Sequence, residues 1–508
     1  MCNKRLRWAA EIGHEEVVEI SLSLDDIDPD EAGEDGQTPL FLAARGGHEG
    51  VVKMLLGRED VDPNKSDDEG QTPLCCASWK GHERVVKILL GRYDIDPEKA
   101  GARGRTPLWW AAEGDHEAIV KMLLAGDGVN PEKPDEKGQT PLHCAAENGA
   151  YGVVKILLGR DDVNPDRPDN IGYTPLGCAA LNGHEWVVEI LLEQENVNPN
   201  APCMNGQTPL YSAAKYGCLE VARMLLERDD VNPNTSDKNG KTPLHCAASH
   251  GCLEVARMLL ERDDVNPNTS YKNGKTPLHC AASHGHLEVV RMLLERDDVN
   301  ANGPVNNENT PLSYAALNGH ESVVEILLEQ DNINPDNANR KGQTPLFWAA
   351  RCGHEGVVKI LLGRKDVNPD NANKKGQTPL LWAAGGGHEG VVKLLLGRKD
   401  VGPDTPDMNG RTPLMWAVQS GHQGVVKILL ERDDVNPNTS NKNGQTPLLY
   451  AALYGHVEVV SMLLERDDLN PNKTDVDDQT PLSYAIGHGN TQVIALLQPQ
   501  AAATRSME

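Results

Sequence analysis

The sequence is poor in aromatic side chains, which make up 4% of its 508 residues and include only two phenylalanines. It also has fewer basic than acidic residues, 49 Lys and Arg against 75 Asp and Glu, for a formal net charge of −26. Nucleic-acid binding needs clustered Lys and Arg, so this balance argues against a nucleic-acid partner and weakly favours basic or neutral ones. The reading to which we give more weight is that the acidic excess keeps a long chain from self-associating, and we expect a monomer.

Long apolar runs are absent as well. No stretch approaches the length needed to span a bilayer, and the first residues do not form a signal peptide, so no membrane insertion is expected. The eleven cysteines form no CxxC pair. We interpret them as free thiols of a reducing compartment, which favours a cytoplasmic location and leaves a nuclear one open.

Motifs of catalysis are missing too. The sequence contains no P-loop, no nucleophile elbow, no zinc-protease helix and no protein-kinase signature. Gly385-Gly386-Gly387 is the nearest approach to a glycine-rich loop, but it falls where a turn between two helices is expected. We therefore expect no catalytic residue, no cofactor and no bound metal, and we predict that the chain is not an enzyme.

What the sequence has in abundance is repetition. Thr-Pro-Leu occurs fourteen times, from Thr38 to Thr480, and every interval is 34 residues. A fixed period between about 20 and 50 residues predicts a stack of small supersecondary units rather than one globular core. Such a stack usually offers a surface for holding a partner and seldom a pocket for a reaction.

One unit, residues 344–377, illustrates the local structure that the repeat predicts. Thr344 can cap a helix whose first position is a proline, and Gly353 can end it. A second helix is expected to begin near His354, with Val357 and Leu361 among its apolar positions. Each helix is too short to persist alone in water, so neighbouring units must supply the core.

The second helix is followed by an extended finger. Asp366-Val367-Asn368-Pro369 ends the helix, and a glycine two residues before the next threonine provides the turn. Glu308 and Asp478 replace this glycine in two units, where we expect looser fingers, with a hinge near 302–309. We predict one continuous array of about fifteen repeats over residues 1–497 and a disordered tail over 498–508.

The run Thr242-Pro243-Leu244-His245-Cys246-Ala247-Ala248, repeated from Thr276 and followed by the pattern G-x-x-x-V, resembles the ankyrin repeat family. The resemblance covers essentially the whole chain and implies an all-α solenoid of helix-turn-helix units with extended hairpin fingers. The chain departs from the family pattern in two respects. After the second helix, Arg-Asp or Lys-Asp replaces the usual Gly-Ala, and the finger is longer. Such repeats resemble fungal ankyrin arrays.

A histidine recurs after the glycine that ends the first helix. As a functional residue it would be a metal ligand or a pH sensor. We favour a structural role, in which the ring bonds neighbouring backbone at the start of the second helix, as the family resemblance implies. The positions are His14, His48, His82, His116, His184, His286, His320, His354, His388, His422 and His456.

The scarce aromatic residues are concentrated at one repeat position, two residues after the Leu of Thr-Pro-Leu. Trp8 and Trp110 occupy it early in the chain, and six consecutive later units form an aromatic stripe: Tyr314, Trp348, Trp382, Trp416, Tyr450 and Tyr484. This position points off the core face, and the resemblance implies that it faces the concave groove. Trp and Tyr are enriched at interface hot spots, so the stripe is our candidate partner-binding site. Packing of the rings between repeats is the alternative, and it stays open.

These observations favour a non-catalytic scaffold that binds a protein or an extended peptide on its concave face. An alternative makes the chain the sensor arm of a larger signalling NTPase or another enzyme, whose catalytic part lies outside these residues. A purely architectural spacer is a third possibility. The identity of the partner is not encoded in a recognisable way.

Overall fold

The computed structural model describes residues 2–24, 26–126, 128–303 and 309–505. Within these ranges the chain forms 30 α-helices and no strand. The helices come in pairs, one pair for each repeat, which confirms the predicted all-α architecture of helix-turn-helix units. A short 3₁₀ turn, Ala102–Gly104, is the one helical segment between pairs in the described residues.

The chain divides into two compact units. Unit 1 comprises Met1–Ala247 and Glu254–Val265, and unit 2 comprises Ala248–Leu253 and Asn266–Glu508. The helices that lie wholly in unit 1 are α1 Cys2–Ile12, α2 Glu15–Leu22, α3 Pro39–Gly46, α4 Glu49–Leu56, α5 Pro73–Lys80, α6 Glu83–Leu90, α7 Pro107–Glu113, α8 Glu117–Leu124, α9 Pro141–Asn148, α10 Tyr151–Leu158, α11 Pro175–Asn182, α12 Glu185–Leu192, α13 Pro209–Tyr216 and α14 Leu219–Leu226.

Residues of α15 Pro243–His250 and α16 Leu253–Glu261 are assigned partly to each unit. The remaining helices belong to unit 2: α17 Pro277–His284, α18 Leu287–Leu294, α19 Pro311–Asn318, α20 Glu321–Leu328, α21 Pro345–Cys352, α22 Glu355–Leu362, α23 Pro379–Gly386, α24 Glu389–Leu396, α25 Pro413–Ser420, α26 Gln423–Leu430, α27 Pro447–Tyr454, α28 Val457–Leu464, α29 Pro481–Gly487 and α30 Thr491–Arg505.

The first helix of a repeat is fixed at both ends by the residues that the sequence singles out. The Thr344 hydroxyl accepts a hydrogen bond from the Phe347 amide at 3.1 Å, and Pro345 follows the cap. Gly353 ends the helix with φ of 77°, a left-handed conformation that costs a residue with a Cβ about 1 kcal/mol. The predicted start and stop signals are therefore confirmed.

The core of a repeat lies between its two helices and the next repeat. Leu346 and Ala349 of α21 are fully buried, as are Val358 and Leu361 of α22. Within unit 2, successive first helices pack on each other, and so do successive second helices. Small alanines permit this close approach, and each repeat gains its core from its neighbours, as expected for helices of eight residues.

Where it occurs after the first repeat, the recurrent histidine bonds its repeat to the one before it. His354 lies just before α22, and its Nε2 donates to the Leu317 carbonyl of the preceding repeat at 3.0 Å. His388 and His422 make the same bond one repeat further on, at 3.1 and 3.0 Å. This confirms the structural role. Asn490 replaces the histidine in the last repeat, and its Nδ2 donates to the Ala452 carbonyl at 2.7 Å.

The fingers are tight turns linked one to the next. Asn373 accepts hydrogen bonds through Oδ1 from the amides of Lys375 and Gln377, at 2.9 and 3.1 Å. The Lys374 amide donates to the Lys341 carbonyl of the preceding finger at 2.9 Å. This finger thus turns through a side-chain cap and is bonded by backbone to the finger before it.

Asp478 does not loosen its finger, contrary to the sequence expectation. It adopts φ of 54°, the left-handed conformation of the glycine it replaces, and the Val476 amide still donates to the Asn443 carbonyl at 3.1 Å. Aspartate visits this region more readily than most residues, so the turn survives the substitution. Glu308, the other replacement, lies outside the described residues.

The arginine that departs from the family pattern bonds neighbouring repeats to each other. Arg364 donates through Nε and Nη2 to the two carboxylate oxygens of Asp366, at 2.9 and 2.7 Å. Its Nη1 donates to the carbonyl of Leu328 in the preceding repeat at 3.1 Å. The Arg-x-Asp sequence therefore bonds the end of one second helix to the end of the second helix in the preceding repeat.

Two sequence expectations concern the domain boundaries. The proposed hinge near 302–309 falls largely on residues 304–308, which lie outside the described residues. The disordered tail was expected from residue 498, whereas α30 runs without a break from Thr491 to Arg505 and contains Pro499. Residues 506–508 lie outside the described part of the chain.

Candidate functional site

The aromatic stripe of unit 2 lies on the first helices of six consecutive repeats, α19 to α29. Tyr314, Trp348, Trp382, Trp416 and Tyr484 are half-buried, and Tyr450 is 9% exposed. The surface formed by these first helices together with the finger tips is called the first-helix face below. The rings are neither free in solvent nor part of the core, so each has both a packing role and an accessible part.

Three tryptophans of the stripe, Trp348, Trp382 and Trp416, form what we call the tryptophan cluster. The ring centroids of Trp382 and Trp416 are 5.4 Å apart at an angle of 51°. Phe347 lies between the first two rings, 5.6 Å from Trp348 and 5.7 Å from Trp382, edge to face in both cases. Aromatic contacts therefore link the three repeats, directly between Trp382 and Trp416 and through the fully buried Phe347 between Trp348 and Trp382.

The indole nitrogens of the cluster face the protein and not the solvent. Nε1 of each tryptophan is buried and makes no hydrogen bond. A buried, unsatisfied N–H costs roughly 1–3 kcal/mol. Nε1 of Trp109 and Trp110 in unit 1 is buried and without a hydrogen bond as well, so this cost does not distinguish the cluster from the tryptophans of unit 1.

A pocket of about 340 Å³ opens between Trp382 and Trp416. Gly385 and Gly386 form part of its wall, where most other repeats carry side chains. A Cβ on Gly385 would lie 2.7 Å from Cε3 of Trp416, so the ring can rest against this helix only because residue 385 is glycine. The glycines thus place the ring and leave the space beside it open.

Two arginines complete the pocket, Arg351 from the preceding repeat and Arg411 from the finger before Trp416. The Arg351 guanidinium lies 4.6 Å from the Trp382 ring centroid and 5.4 Å from that of Trp348. Arg411 lies 4.6 Å from the Trp416 ring. Cations over aromatic faces contribute about 0.5–1 kcal/mol at exposed sites, and here they also make the pocket positively charged.

The three tyrosines of the stripe have different surroundings. The Tyr450 hydroxyl accepts a hydrogen bond from Asn441 at 3.0 Å, and that of Tyr484 donates to Asp475 at 2.9 Å, so both hold finger residues. Burial raises the pKa of the Tyr450 hydroxyl, and the bond to the Asp475 carboxylate raises that of Tyr484. Lys275 lies 3.9 Å above the Tyr314 ring.

The two earlier aromatics at this repeat position lie in unit 1. Trp8 is 54% exposed, and Trp110 is half-buried. The ring of Trp110 is covered by Trp79 and Trp109, with centroid distances of 5.7 and 5.2 Å. These three rings also contact one another, but they come from two repeats, whereas the tryptophan cluster extends over three.

Sequence reasoning found the tryptophans and missed the groups between them. Arg351 comes from one repeat and Gly385 and Arg411 from the next, and none of the three belongs to a motif of its own. An alignment of the repeats on Thr-Pro-Leu would have placed them beside Trp382 and Trp416, because neighbouring repeats stack in register.

The overall composition also did not indicate the local charge of the finger tips on the first-helix face. The finger tips at 339–343, 373–377, 407–411 and 441–445 contain one acidic residue, Asp407, whose side chain is 2% exposed and paired with Arg411 at 2.9 Å. They carry six basic residues, Arg340, Lys341, Lys374, Lys375, Arg411 and Lys442. These four finger tips are thus basic in a chain whose net charge is −26, whereas the finger that precedes Tyr484 contains Asp475, Asp477 and Asp478.

In the part of the chain that the structure describes, no helix is both long and apolar enough to cross a membrane. A comparison with curated proteins found no match. A family model described as "Ankyrin repeats (3 copies)" matches seven overlapping segments, residues 6–101, 93–169, 161–237, 229–303, 298–371, 365–441 and 432–505. These matches cover nearly the whole chain and agree with the paired helices. The chain belongs to the ankyrin repeat family.

Proposed function

We infer that the chain is a non-catalytic scaffold that binds a partner protein on the first-helix face of unit 2, the concave face of an ankyrin solenoid. Ankyrin repeats are generally protein-interaction modules and are typically non-catalytic. The proposed contact surface is the aromatic stripe, with the tryptophan cluster as its anchor. The partner meets the chain in the cytoplasm or the nucleus, as the cysteine content favours.

The observation that carries this proposal is the tryptophan cluster beside an open pocket. Three half-buried rings in successive repeats offer an apolar surface, and extended apolar patches on soluble proteins often mark binding sites. The rings are already held by Phe347 and Gly385, so little side-chain freedom would be lost on binding. Tryptophan in such a setting is the residue type most often found at hot spots.

The tyrosines divide the proposed surface by role. Tyr450 and Tyr484 support it from its far end, because their hydroxyls hold finger residues and only their ring faces remain for a partner. Tyr314 extends the stripe at its near end beneath Lys275. We therefore expect truncation of the tryptophans to weaken binding more than truncation of the tyrosines.

A cross-linked pull-down from the source cell tests the proposal. Wild type is compared with a triple variant, Trp348→Ala, Trp382→Ala and Trp416→Ala, after circular dichroism has established that both are folded. Trp110→Ala is the matched control, because it removes a tryptophan from the same repeat position in unit 1. Loss of specific partners in the triple variant, with retention in the control, supports the proposal. Retention in both overturns it.

A further inference from the structure

We propose that the partner segment bound at the tryptophan cluster is acidic, and that Arg351 and Arg411 hold one of its Asp or Glu carboxylates in the pocket beside Trp382 and Trp416. This inference rests on the proposed function and names the chemistry of the partner. It runs against the net charge of the chain, which taken alone favours basic or neutral partners. The argument depends on the local arrangement of charge.

Arg351 supplies the first cation. Its side chain is exposed and stacked on tryptophan, and it makes no hydrogen bond or ion pair with a described residue. A guanidinium has five N–H donors in a planar fork that matches a carboxylate. The stacking on Trp382 fixes the plane of the fork, so less freedom is lost when a carboxylate binds.

Arg411 supplies the second cation from the opposite side of the pocket. Its Nε donates to Oδ2 of Asp407 at 3.0 Å, and its Nη2 forms an ion pair with the same oxygen at 2.9 Å. That carboxylate also accepts the Asn409 and Arg411 amides through Oδ1, at 2.8 and 2.9 Å, so it is committed to its finger. Nη1 of Arg411 has no acceptor among the described residues. The pocket thus keeps an unbalanced positive charge.

The charge continues beyond the pocket along the finger tips. Lys341, Lys374, Lys375 and Lys442 are exposed, and none of them forms an ion pair with a described residue. Successive finger tips are bonded to each other, which holds these lysines in a row beside the first helices. A segment with several acidic residues would meet this row on leaving the pocket.

A protein segment fits these observations better than a nucleic acid. Nucleic acid presents phosphates at every nucleotide and would be repelled at long range by a net charge of −26. A short acidic segment combines a few carboxylates with apolar side chains, and the pocket offers arginines beside tryptophan rings. Charge-assisted arginine–carboxylate bonds and aromatic contacts would then act on neighbouring residues of one chain.

Selection from a random peptide library tests the inference with an unbiased probe. Displayed 16-residue peptides are selected on the full chain, and one enriched peptide is synthesised for fluorescence anisotropy. We expect enrichment of Asp and Glu next to apolar residues. We expect Arg351→Gln with Arg411→Gln to weaken binding roughly tenfold, the scale of a lost charge-assisted bond. Arg45→Gln, at the repeat position of Arg351 but in unit 1, should change nothing.

The outcomes separate this inference from the proposed function. Selected peptides that depend on Trp382 and Trp416 but carry no acidic residues would overturn the inference and leave the proposed function standing. Peptides that bind equally well to the tryptophan variants would contradict both. Replacing the Asp and Glu of the peptide by Asn and Gln should abolish its dependence on Arg351. Tighter binding of a 20-nucleotide poly-dT than of the acidic peptide would also overturn the inference.

Discussion

Two clusters of arginine and tryptophan lie nine repeats apart at the same repeat positions, one in each unit. When the repeats are aligned on Thr-Pro-Leu, each cluster begins with an arginine in one first helix and a second residue at the same position in the next first helix. An arginine at the end of the finger that follows and a tryptophan in the third first helix complete it. The sets are Arg45, Trp79, Arg105 and Trp110 in unit 1 and Arg351, Gly385, Arg411 and Trp416 in unit 2. At the second position unit 1 has a tryptophan beside Trp110, whereas unit 2 has a glycine, which leaves the space beside Trp416 open.

The cluster in unit 1 is satisfied by its own neighbours. Arg45 donates to Glu11 at 3.1 Å and to Gln37 at 3.0 Å. Arg105 lies 3.6 Å from the Trp109 ring centroid and has the carboxylates of Glu113 and Asp135 within 4 Å, at 3.8 and 3.6 Å. Its charge is balanced, and Trp79 occupies the space beside Trp110.

In unit 2 each of the acidic partners is replaced, whereas Gln343 stands in the place of Gln37. Leu317 stands in the place of Glu11, Gln419 in that of Glu113, and Asn441 in that of Asp135. The arginines and the tryptophan are kept while the acids are lost, so charge and ring surface become available to a partner. The comparison teaches that the binding capacity of a repeat position depends on residues one repeat away.

Filling the pocket should have the largest effect on binding. Gly385→Trp gives unit 2 the residue that unit 1 has at position 79, and it must displace Trp416, because even a Cβ at 385 would lie 2.7 Å from that ring. We expect binding of the selected peptide to fall about 30-fold, the effect of losing a hot-spot residue. Fluorescence anisotropy measures it. An unchanged affinity would show that the open space beside Trp416 is not needed for binding.

Restoring the lost acids should have the next largest effect. Leu317→Glu with Gln419→Glu places carboxylates at the positions of Glu11 and Glu113. There they can pair with Arg351 and Arg411, respectively, and compete with the partner. We expect affinity to fall about tenfold at low salt and less at high salt, because screening weakens exposed charge pairs. The matched neutral variant, Leu317→Gln with wild-type Gln419, should bind normally. Equal loss in both would exclude charge as the cause.

Contacts that are the same in both units should respond alike. Nη1 of Arg58 donates to the Leu22 carbonyl at 3.0 Å, as that of Arg364 does to Leu328 at 3.1 Å. Arg58→Ala and Arg364→Ala should each lower the local free energy of unfolding by about 1 kcal/mol. Hydrogen exchange in α4 and α22 measures this locally, since a long array need not unfold in two states. A marked difference would mean that the units differ in more than their pockets.

The smallest effect is a pH dependence that distinguishes two first helices. His143 in α9 is buried, and its Nε2 donates to the Tyr173 carbonyl at 3.1 Å. Burial lowers the pKa of His143 below its ordinary value of 6.5. The unfolded chain then binds more protons, so stability is lost as the pH falls below about 6.5. Phe347 occupies this position in α21 and cannot titrate.

Protection factors at pH 7.5 and 5.5 test that expectation. We expect a few-fold lower protection of α9 at the lower pH and a smaller change in α21. His143→Phe should remove the difference. An equal response of the two helices, or no effect of the variant, would show that the buried histidine does not carry the pH dependence.

The sequence predicted the repeat but not the pocket, for a physical reason. Thr344, Pro345 and Gly353 act within a few residues of chain, so helix limits can be read locally. The His354 bond to the preceding repeat was predictable because the family resemblance implied it. Arg351, Gly385 and Trp416 meet only after three repeats have stacked, and nothing in any one repeat marks them. At Asp478 the local prediction was wrong. The replacement of glycine suggested a looser turn, but the Asp478 backbone adopts the conformation of glycine.

The measurement that tests the central claim most directly is the affinity of the selected peptide for three proteins: wild type, Trp382→Ala with Trp416→Ala, and Trp110→Ala. Circular dichroism establishes first that all three are folded. The account predicts a loss of at least about 30-fold for the double variant and roughly wild-type affinity for Trp110→Ala. Equal affinities for the double variant and wild type would contradict it, and the rings of unit 2 would then be packing between repeats.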